Sequence, residues 1–281
     1  MQGFNKIKKP KAPIGERLRA CALLLCLALV ALLGKPVYTA IIGPDLPPIP
    51  SSEPVSAWVT ELKVLPDGRT QISENLAVVS EGKALKHGII RAFDLGRVDE
   101  FGTRKLSYQV DAVRRNGVVI PWKATTPAEH VQLVYLGDEK QPLVPGPYEF
   151  DFQYTVSNLV ARSGALAVLS QELTPLWPVA MQQVVASIKL PKFVAQESVS
   201  IAAHIVGNTE GPYASRLSPG KLDAHVKASF YDAGRLNLSE RDVLGVRFEL
   251  QRPLEPYERL HVAVWWPEGF IKWPAAEPVS K

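Results

Sequence analysis

A run of fifteen uncharged residues near the N-terminus, Ala20 to Gly34, constrains this chain more than any other stretch. A membrane-spanning helix needs about 20 predominantly apolar residues, whereas the apolar core of a signal peptide has about 7–15. Lys35 and Pro36 interrupt the run, and Val37 to Ile42 resumes it. Because a lysine near a helix end extends to the lipid headgroups, the sequence predicts an uncleaved membrane anchor over 20–42. A cleaved signal peptide is the alternative.

The charges before this run predict its orientation. Residues 1–19 form a tail with six basic side chains and one acidic side chain, Glu16. Such a tail stays in the cytoplasm, and the chain beyond the anchor is exported. A proline-rich linker over 43–56 then holds the exported part away from the membrane. We therefore expect a single-pass protein of the cytoplasmic (inner) membrane with a periplasmic domain, whose partner through the N-terminal helix is the lipid bilayer.

The composition of the exported part argues against a disulfide-stabilised protein and against a nucleic-acid-binding protein. Cys21 and Cys26, the only cysteines, lie in the apolar run, so the exported part has no disulfide framework. Residues 51–281 contain 25 basic and 26 acidic side chains, and the high isoelectric point of the whole chain comes from the cytoplasmic tail. The basic charge is thus a topology signal, and we expect no nucleic-acid partner.

Apolar and polar residues alternate along the exported part with the period of a half-buried strand. Tyr148 to Val156 is the clearest strand, and Asn116-Gly117 is typical of a type I′ hairpin turn. Many short strands of this kind predict an all-β fold, an antiparallel β-sandwich.

The domain boundaries follow from where the alternation weakens. We expect two packed sandwich subdomains over 57–160 and 179–274, a connecting segment over 161–178 and a tail over 275–281. One large sandwich is the alternative. Within the connecting segment, Arg162 to Leu173 is interpreted as a short helix or an irregular loop.

An ordered series of short motifs runs through the exported part. The motifs are LPDGRTQISENLAV from Leu65, His87-Gly88-Ile89-Ile90-Arg91, Gly137-Asp138 before Pro145-Gly146, Leu190-Pro191, and Trp266-Pro267-Glu268-Gly269. In this order they resemble a family of predicted bacterial membrane proteins known as domain of unknown function 2207. The resemblance covers residues 57–274. It implies an N-terminal signal or anchor, an exported β domain and then further membrane segments, with no assigned reaction or catalytic residues.

This chain departs from the family pattern in two places. The loop after Glu172-Leu173 lacks the family's Trp-Asn-rich stretch. The family also usually continues into a membrane segment after its Trp-Pro-x-Gly region, and we expect that segment to be lost here or supplied by a separate membrane subunit.

The motif from His87 to Arg91 is the candidate for a specific site. Arg91 lies between the apolar residues Ile90 and Phe93, so we expect it to be half-buried and paired with a carboxylate. The sequence makes Asp138 the expected partner and gives His87, Gly88, Arg91 and Asp138 a structural role. The alternative is that the Arg91 guanidinium binds an exported carboxylate or phosphate.

The sequence predicts no catalytic, cofactor or metal site. The histidines have no metal-ligand spacing, and no P-loop, Rossmann glycine pattern or GxSxG elbow occurs. His225 and His261 lie on predicted polar faces of strands, so we expect both to be exposed.

Aromatic side chains cluster near the C-terminus. Strand alternation predicts that Trp266 faces inward and Trp265 outward, and Phe270 and Trp273 follow on an irregular segment. Indole rings favour the headgroup region of a bilayer. We therefore expect Trp265, Phe270 and Trp273 to contact a membrane surface or a membrane or envelope protein. A wholly buried cluster is the alternative.

Two functions fit these features. The first is a membrane-anchored, extracytoplasmic β-sandwich protein that binds a partner or supports assembly at the cell envelope without catalysis. The second is an envelope enzyme or carbohydrate-binding module directed at glycans or lipids. An exposed aromatic platform beside carboxylates favours the second, and an uncovered apolar patch or sheet edge favours the first. The lack of convergent catalytic groups leads us to expect the non-enzymatic function.

Overall fold

A computed structural model describes residues 53–83, 85–138, 140–207, 217–235 and 240–273 of the chain. These ranges contain three short 3-10 helices, at Gln196–Ser198, Ala233–Arg235 and Glu268–Phe270. They also contain the strands β1 (Val55–Val64), β2 (Thr70–Ser80), β3 (Gly88–Asp94), β4 (Gly96–Asp99), β5 (Gly102–Lys105), β6 (Ser107–Arg115), β7 (Val118–Val119), β8 (Trp122–Ala128), β9 (Val131–Gly137), β10 (Gly146–Ser157), β11 (Val160–Ser163), β12 (Leu166–Glu172), β13 (Val184–Lys192), β14 (Ser200–Val206), β15 (Val226–Asp232), β16 (Val243–Leu250) and β17 (Arg259–Pro267).

An eight-stranded sheet forms one layer of the fold, in the order β15-β16-β13-β1-β2-β10-β6-β7. Neighbours in this sheet are antiparallel except for β1 and β13, which are parallel. The alternation of β10 is as predicted, because Phe150, Phe152, Tyr154 and Val156 are each at most 4% exposed. Their face of the sheet builds the hydrophobic core.

Two smaller sheets cover this inner face. One has the order β3-β9-β8, and the other has the order β11-β12-β17-β14. Buried residues of both belong to the same hydrophobic cluster as the inner face of the large sheet. In that cluster Phe93 of β3 lies 5.9 Å from Phe152, and Trp58 of β1 lies 5.3 Å from Trp177, measured between ring centroids. The all-β prediction is confirmed, and the arrangement is a sandwich of a large sheet against two small ones.

The eight-stranded sheet crosses the predicted subdomain boundary. Strands β13, β15 and β16 come from the second predicted subdomain, and β1, β2, β6, β7 and β10 come from the first. The parallel pair of β1 and β13 joins the two groups, with Leu62 opposite Ile188. One sheet and one hydrophobic cluster therefore include residues from both sides of the predicted connecting segment.

The interpretation of Arg162 to Leu173 as a helix or loop is wrong. The segment lies mostly in β11 and β12, which pair as a hairpin with Arg162 opposite Ala167. Four consecutive residues of β12, Ala167 to Ser170, are buried. A strand covered on both faces shows no alternation of apolar and polar residues, which removed the signal that identified the other strands.

Strand β17 is also covered on both faces, and two predictions about its side chains are wrong for that reason. Its first eight residues are all buried, including His261 at 2% exposure and Trp265 at 4%. One face of β17 packs on the main core. The other contributes Ala263 and Trp265 to a second cluster, against which Phe101 packs from the turn between β4 and β5. Trp265 faces away from Trp266 as predicted, but the second cluster buries it. The expected exposure of Trp265 and His261 is therefore wrong, whereas His225 is exposed as predicted.

The predicted cytoplasmic tail, the anchor over 20–42, most of the linker and the tail over 275–281 lie outside the described residues. Within the ranges that the structure describes, no helix has the length and apolar character needed to cross a bilayer.

Candidate functional site

The motif glycines face each other across a strand pair. Gly88 of β3 lies opposite Gly137 of β9, and both have positive φ angles, 132° and 133°. A Cβ atom on Gly88 would lie 2.0 Å from the Leu136 carbonyl oxygen, and one on Gly137 would lie 2.4 Å from the His87 carbonyl oxygen. Two strands approach here more closely than side chains allow. This close approach explains why two separate motifs of the sequence each carry a glycine.

Arg91 forms a buried ion pair with Glu74 of β2. Its Nε and Nη2 donate to the two carboxylate oxygens of Glu74 over 2.9 and 2.7 Å. The Tyr154 hydroxyl donates to the same carboxylate over 2.8 Å. Arg91 is 7% exposed, Glu74 1% and Tyr154 4%. The guanidinium carbon also lies 5.1 Å from the centroid of the Trp58 ring, within the range of a cation–π contact.

The electrostatics of this cluster stabilise the charged pair. Burial acts to lower the pKa of Arg91, but the Glu74 charge and hydrogen bonds outweigh it, so the pKa lies above its ordinary value. Burial, followed by the Glu74 charge, raises the pKa of Tyr154 well above its ordinary value. A charged guanidinium, a carboxylate and a neutral phenol therefore hold β2, β3 and β10 together.

Asp138 is not the partner of Arg91. Arg91 lies opposite Val134, and Asp138 comes four residues later, about 13 Å along the strand direction. Instead, an Asp138 carboxylate oxygen accepts the backbone N–H of Lys140. The expected pairing with a carboxylate is present, but the partner is Glu74.

The surroundings of this ion pair leave no space for a bound ligand. Glu74 occupies the hydrogen-bonding edge of the Arg91 guanidinium. The cavity between Glu74, Tyr154 and Glu172 measures about 10 Å³, which is room for no more than a water molecule.

A second buried polar cluster joins β4, β12 and β17. The Ser170 hydroxyl and His261 Nε2 are 2.8 Å apart. Arg97, which is fully buried, donates to the Ser170 carbonyl oxygen over 2.7 Å and to the Gln171 side chain over 2.6 Å. Nearby, Arg259 Nη1 lies 3.3 Å from a Glu172 carboxylate oxygen. Sequence spacing gave no signal for this cluster, because its members come from three distant strands.

The Ser170–His261 contact resembles that of a catalytic nucleophile with its base, but the pKa of His261 and the burial of both residues differ from those of a catalytic pair. Burial lowers the pKa of His261 to about 3, and the positive charges of Arg97 and Arg259 add to this effect. A general base works best when its pKa lies near the working pH. Ser170 is 5% exposed and His261 2%, so neither faces solvent. Among the described residues, no cluster of three or more His, Cys, Asp or Glu side chains is arranged to hold a metal ion.

The C-terminal aromatic residues pack on the domain. The Lys272 backbone N–H donates to the Pro66 carbonyl oxygen in the turn between β1 and β2. Phe270 and Trp273 are half-buried against the main core, and the Arg162 guanidinium lies 4.5 Å from the Trp273 ring centroid. Trp265 is buried in the second cluster. Of the three residues expected to contact a membrane or partner, only Phe270 and Trp273 therefore reach the surface.

Apolar side chains remain uncovered on the outer face of the three-stranded sheet. Ile90 lies opposite Tyr135, and Tyr135 lies opposite Lys123. Ile90 is 51% exposed, whereas Tyr135 and the neighbouring Leu133 are half-buried. Ile90 therefore gives this face an exposed apolar side chain that is available to a partner.

The fold and its buried ion pairs define an all-β sandwich domain. The sequence profile described as the N-terminal domain of a predicted membrane protein family, DUF2207, matches residues 56–230, and the chain belongs to this family. The resemblance drawn from the motifs is thereby confirmed. The chain is 31% identical over 137 residues to the uncharacterized protein YciQ of Escherichia coli, a match that covers 46% of this chain and 21% of YciQ. The chain thus spans about a fifth of the length of this curated relative.

Solved structures give weaker matches. An M1 zinc metallopeptidase from Deinococcus radiodurans is 15% identical, with a TM-score of 0.39 over 75% of this chain and 42% of the other. Yeast leukotriene A4 hydrolase is 12% identical, with a TM-score of 0.40 over 75% of this chain and 29% of the other. At these scores the similarity carries no argument about function.

Proposed function

We propose that this protein is anchored in the cytoplasmic membrane, exposes its β-sandwich outside the cytoplasm, and binds a partner protein of the cell envelope without catalysing a reaction. Membership of a predicted membrane protein family supports the membrane association. The basic tail and the apolar run over 20–42 support the anchor and its orientation. The periplasmic position of the domain follows from that orientation.

The observation that carries the binding proposal is the exposed Ile90 on the outer face of the three-stranded sheet. The outer face of the eight-stranded sheet has polar cross-strand pairs, such as Lys189 with Glu61 at 2.9 Å and Asn75 with Asp151 at 2.7 Å. The exposed valines of its strands β1 and β2, Val59 and Val79, are less open to solvent, at 43% and 37%, than Ile90 at 51%. The outer face of the three-stranded sheet instead presents Ile90 with the half-buried Tyr135 and Leu133. An exposed apolar side chain beside an aromatic one is typical of a protein-binding face.

The second candidate function is an enzyme or binding module directed at glycans or lipids. A glycan site requires an exposed aromatic platform, but the exposed Trp122 begins β8 of the three-stranded sheet, whereas the exposed Phe193 lies in the turn after β13 of the eight-stranded sheet. The Ser170–His261 pair is shielded from solvent. These observations favour the non-enzymatic function.

A co-purification experiment tests the binding proposal. The full-length protein is extracted from its own membranes in mild detergent, in parallel with the variants Ile90→Asp and Gln71→Asp. Both positions are exposed strand residues, but Gln71 lies on the outer face of the large sheet, opposite the polar residues Lys63 and Thr155. We expect a discrete protein to co-purify with the wild type and with Gln71→Asp and to be lost from Ile90→Asp. Identical sets of proteins from both variants would contradict the proposed surface.

A further inference from the structure

A short hairpin, made of β4 and β5, packs on the outer face of the four-stranded sheet. Its side chains Arg97 and Arg104 lie opposite each other in the strand pair, so both point to the same face of the hairpin. That face is directed at the domain. Arg97 donates to the Ser170 carbonyl oxygen over 2.7 Å, and Arg104 donates to the Leu159 carbonyl oxygen over 2.8 Å.

The hairpin faces the domain mainly with charged side chains. Asp99 lies on the same face and pairs with Arg104, whereas Val98 points away and is 63% exposed. In the turn, Glu100 is exposed and Phe101 packs against the second hydrophobic cluster. A two-stranded hairpin is marginally stable by itself. Its attachment therefore depends on the hydrogen bonds of its two arginines and on one aromatic ring.

The base of the hairpin is held more firmly than its tip. Leu106, directly after β5, is 1% exposed in the main core, and its backbone N–H donates to the Leu95 carbonyl oxygen over 2.8 Å. The Leu95 backbone N–H in turn donates to the His130 carbonyl oxygen over 2.8 Å. Rotation about this base lifts β4 and β5 from the sheet and leaves the main core intact. The hairpin is thus an element that is able to open locally.

Arg97 brings a positive charge close to the buried His261. Ser170 joins the two residues, because its carbonyl oxygen accepts from Arg97 and its hydroxyl contacts His261 Nε2. Arg259 precedes His261 by two positions in β17 and lies on the same face. Burial lowers the pKa of His261, and the charges of Arg97, Arg259 and His204 lower it further. A proton on His261 therefore adds a third positive charge to a buried site that already contains two.

The nearby carboxylates are already engaged with other groups. Glu172 lies opposite His261 in the pairing of β12 with β17, and a Glu172 carboxylate oxygen is 3.3 Å from Arg259 Nη1. His204 lies opposite His261 in the pairing of β14 with β17, and its Nδ1 is 3.6 Å from an Asp223 carboxylate oxygen. Neutralisation of a charged His261 would thus compete with the existing contacts of these carboxylates.

We propose that the hairpin of β4 and β5 is an acid-sensitive cover, which protonation of His261 releases from the outer face of the four-stranded sheet. Arg259 and His204 belong to strands that are paired within that sheet, whereas Arg97 belongs to the hairpin. The repulsion is therefore relieved by movement of Arg97. Opening hydrates His261, withdraws Phe101 from the second cluster and exposes apolar surface there.

This device requires neither the membrane anchor nor the partner-binding face proposed above, so its test is independent of both. The expected size of the effect follows from proton binding. The pKa of His261 is about 3 under the closed hairpin and approaches 6.5 once the imidazole is hydrated. The open form binds the proton more tightly and is favoured as the pH falls. Its population should rise about 20-fold between pH 7 and pH 5.

Amide hydrogen exchange of the full-length protein in detergent, followed by mass spectrometry, tests the proposal. The exchange rates of residues 96–105 and of β10 are each divided by the intrinsic rate at the same pH. We expect the hairpin to exchange faster than β10 at both pH values, and its corrected rate to rise about 20-fold from pH 7 to pH 5. The same rise is expected in His204→Gln, which alters the neighbouring histidine. It should disappear in His261→Gln, which retains a hydrogen bond to Ser170 without titrating.

Four results would overturn the proposal, and the first two need the wild type alone. Equal corrected rates for the hairpin and β10 would mean that the hairpin opens only when the whole domain unfolds. A hairpin that exchanges faster than β10, but at a corrected rate that does not change with pH, would show that its opening does not involve His261. A rise that persists in His261→Gln, or that is lost in His204→Gln, would assign the acid response to another group.

Discussion

Replacement of Arg91 by alanine is expected to lower the free energy of unfolding by about 3–5 kcal/mol, the usual cost of breaking a buried ion pair. The change leaves the Glu74 carboxylate buried without its cation, although the Tyr154 hydroxyl still donates to it over 2.8 Å. It also removes the guanidinium that lies against the Trp58 and Phe93 rings. Urea unfolding followed by circular dichroism measures the effect.

Two further variants separate the ion pair from side-chain truncation in general. Arg69→Ala breaks the exposed pair with Asp67 and should cost at most about 1 kcal/mol. The double replacement of Arg91→Met and Glu74→Leu removes both charges and should recover much of the stability lost in Arg91→Ala. A free energy of unfolding for Arg91→Ala within about 1 kcal/mol of the wild type would contradict the structural role of this pair.

Acid is expected to destabilise the domain through His261. Its pKa is about 3 in the folded protein and 6.5 in the unfolded chain, so the unfolded chain binds the proton first as the pH falls. The stability associated with neutral His261 is therefore complete above pH 6.5 and declines as the pH falls towards 3. The loss at pH 5 amounts to about 2 kcal/mol.

His261→Gln should reduce this pH dependence, because glutamine still forms a hydrogen bond with Ser170 but does not titrate. The free energy of unfolding is measured at pH 7 and pH 5 for the wild type, for His261→Gln and for His225→Gln, which alters an exposed histidine. We expect the difference between the two pH values to shrink by about 2 kcal/mol in His261→Gln alone. An equal difference in all three proteins would show that His261 does not titrate with unfolding.

Local sequence patterns predicted much of the fold because each depends on a single strand or turn. The period-two alternation of Tyr148 to Val156 predicted β10, and the Asn116-Gly117 pair predicted the hairpin between β6 and β7. The sequence contains one further signal. Glu74 alternates with Ile72 and Leu76 and thus occupies an inward-facing position of β2, where a carboxylate needs a buried cation. That position could have indicated Glu74, in place of Asp138, as the partner of Arg91.

Other features depend on contacts that no local pattern records. Alternation of apolar and polar residues identifies a strand only when one of its faces is solvated. Both faces of β12 and β17 are covered. The sequence pattern therefore did not predict β12 as a strand, or the burial of His261 and Trp265 in β17. The parallel pairing of β1 with β13 joins residues more than a hundred positions apart, and it unites strands that were assigned to two subdomains. The Ser170–His261 contact likewise exists only once distant strands are paired.

Membrane topology is the most direct test of the proposed anchor and of the proposed export of the sandwich. Alkaline phosphatase is active only outside the cytoplasm, and β-galactosidase only inside it, so each is fused in turn to the C-terminus of the full-length chain. With its basic tail inside and its sandwich outside, the protein should give an active alkaline phosphatase fusion, an inactive β-galactosidase fusion, and a chain that stays with the membrane after an alkaline carbonate wash. An active β-galactosidase fusion together with inactive alkaline phosphatase would contradict the account.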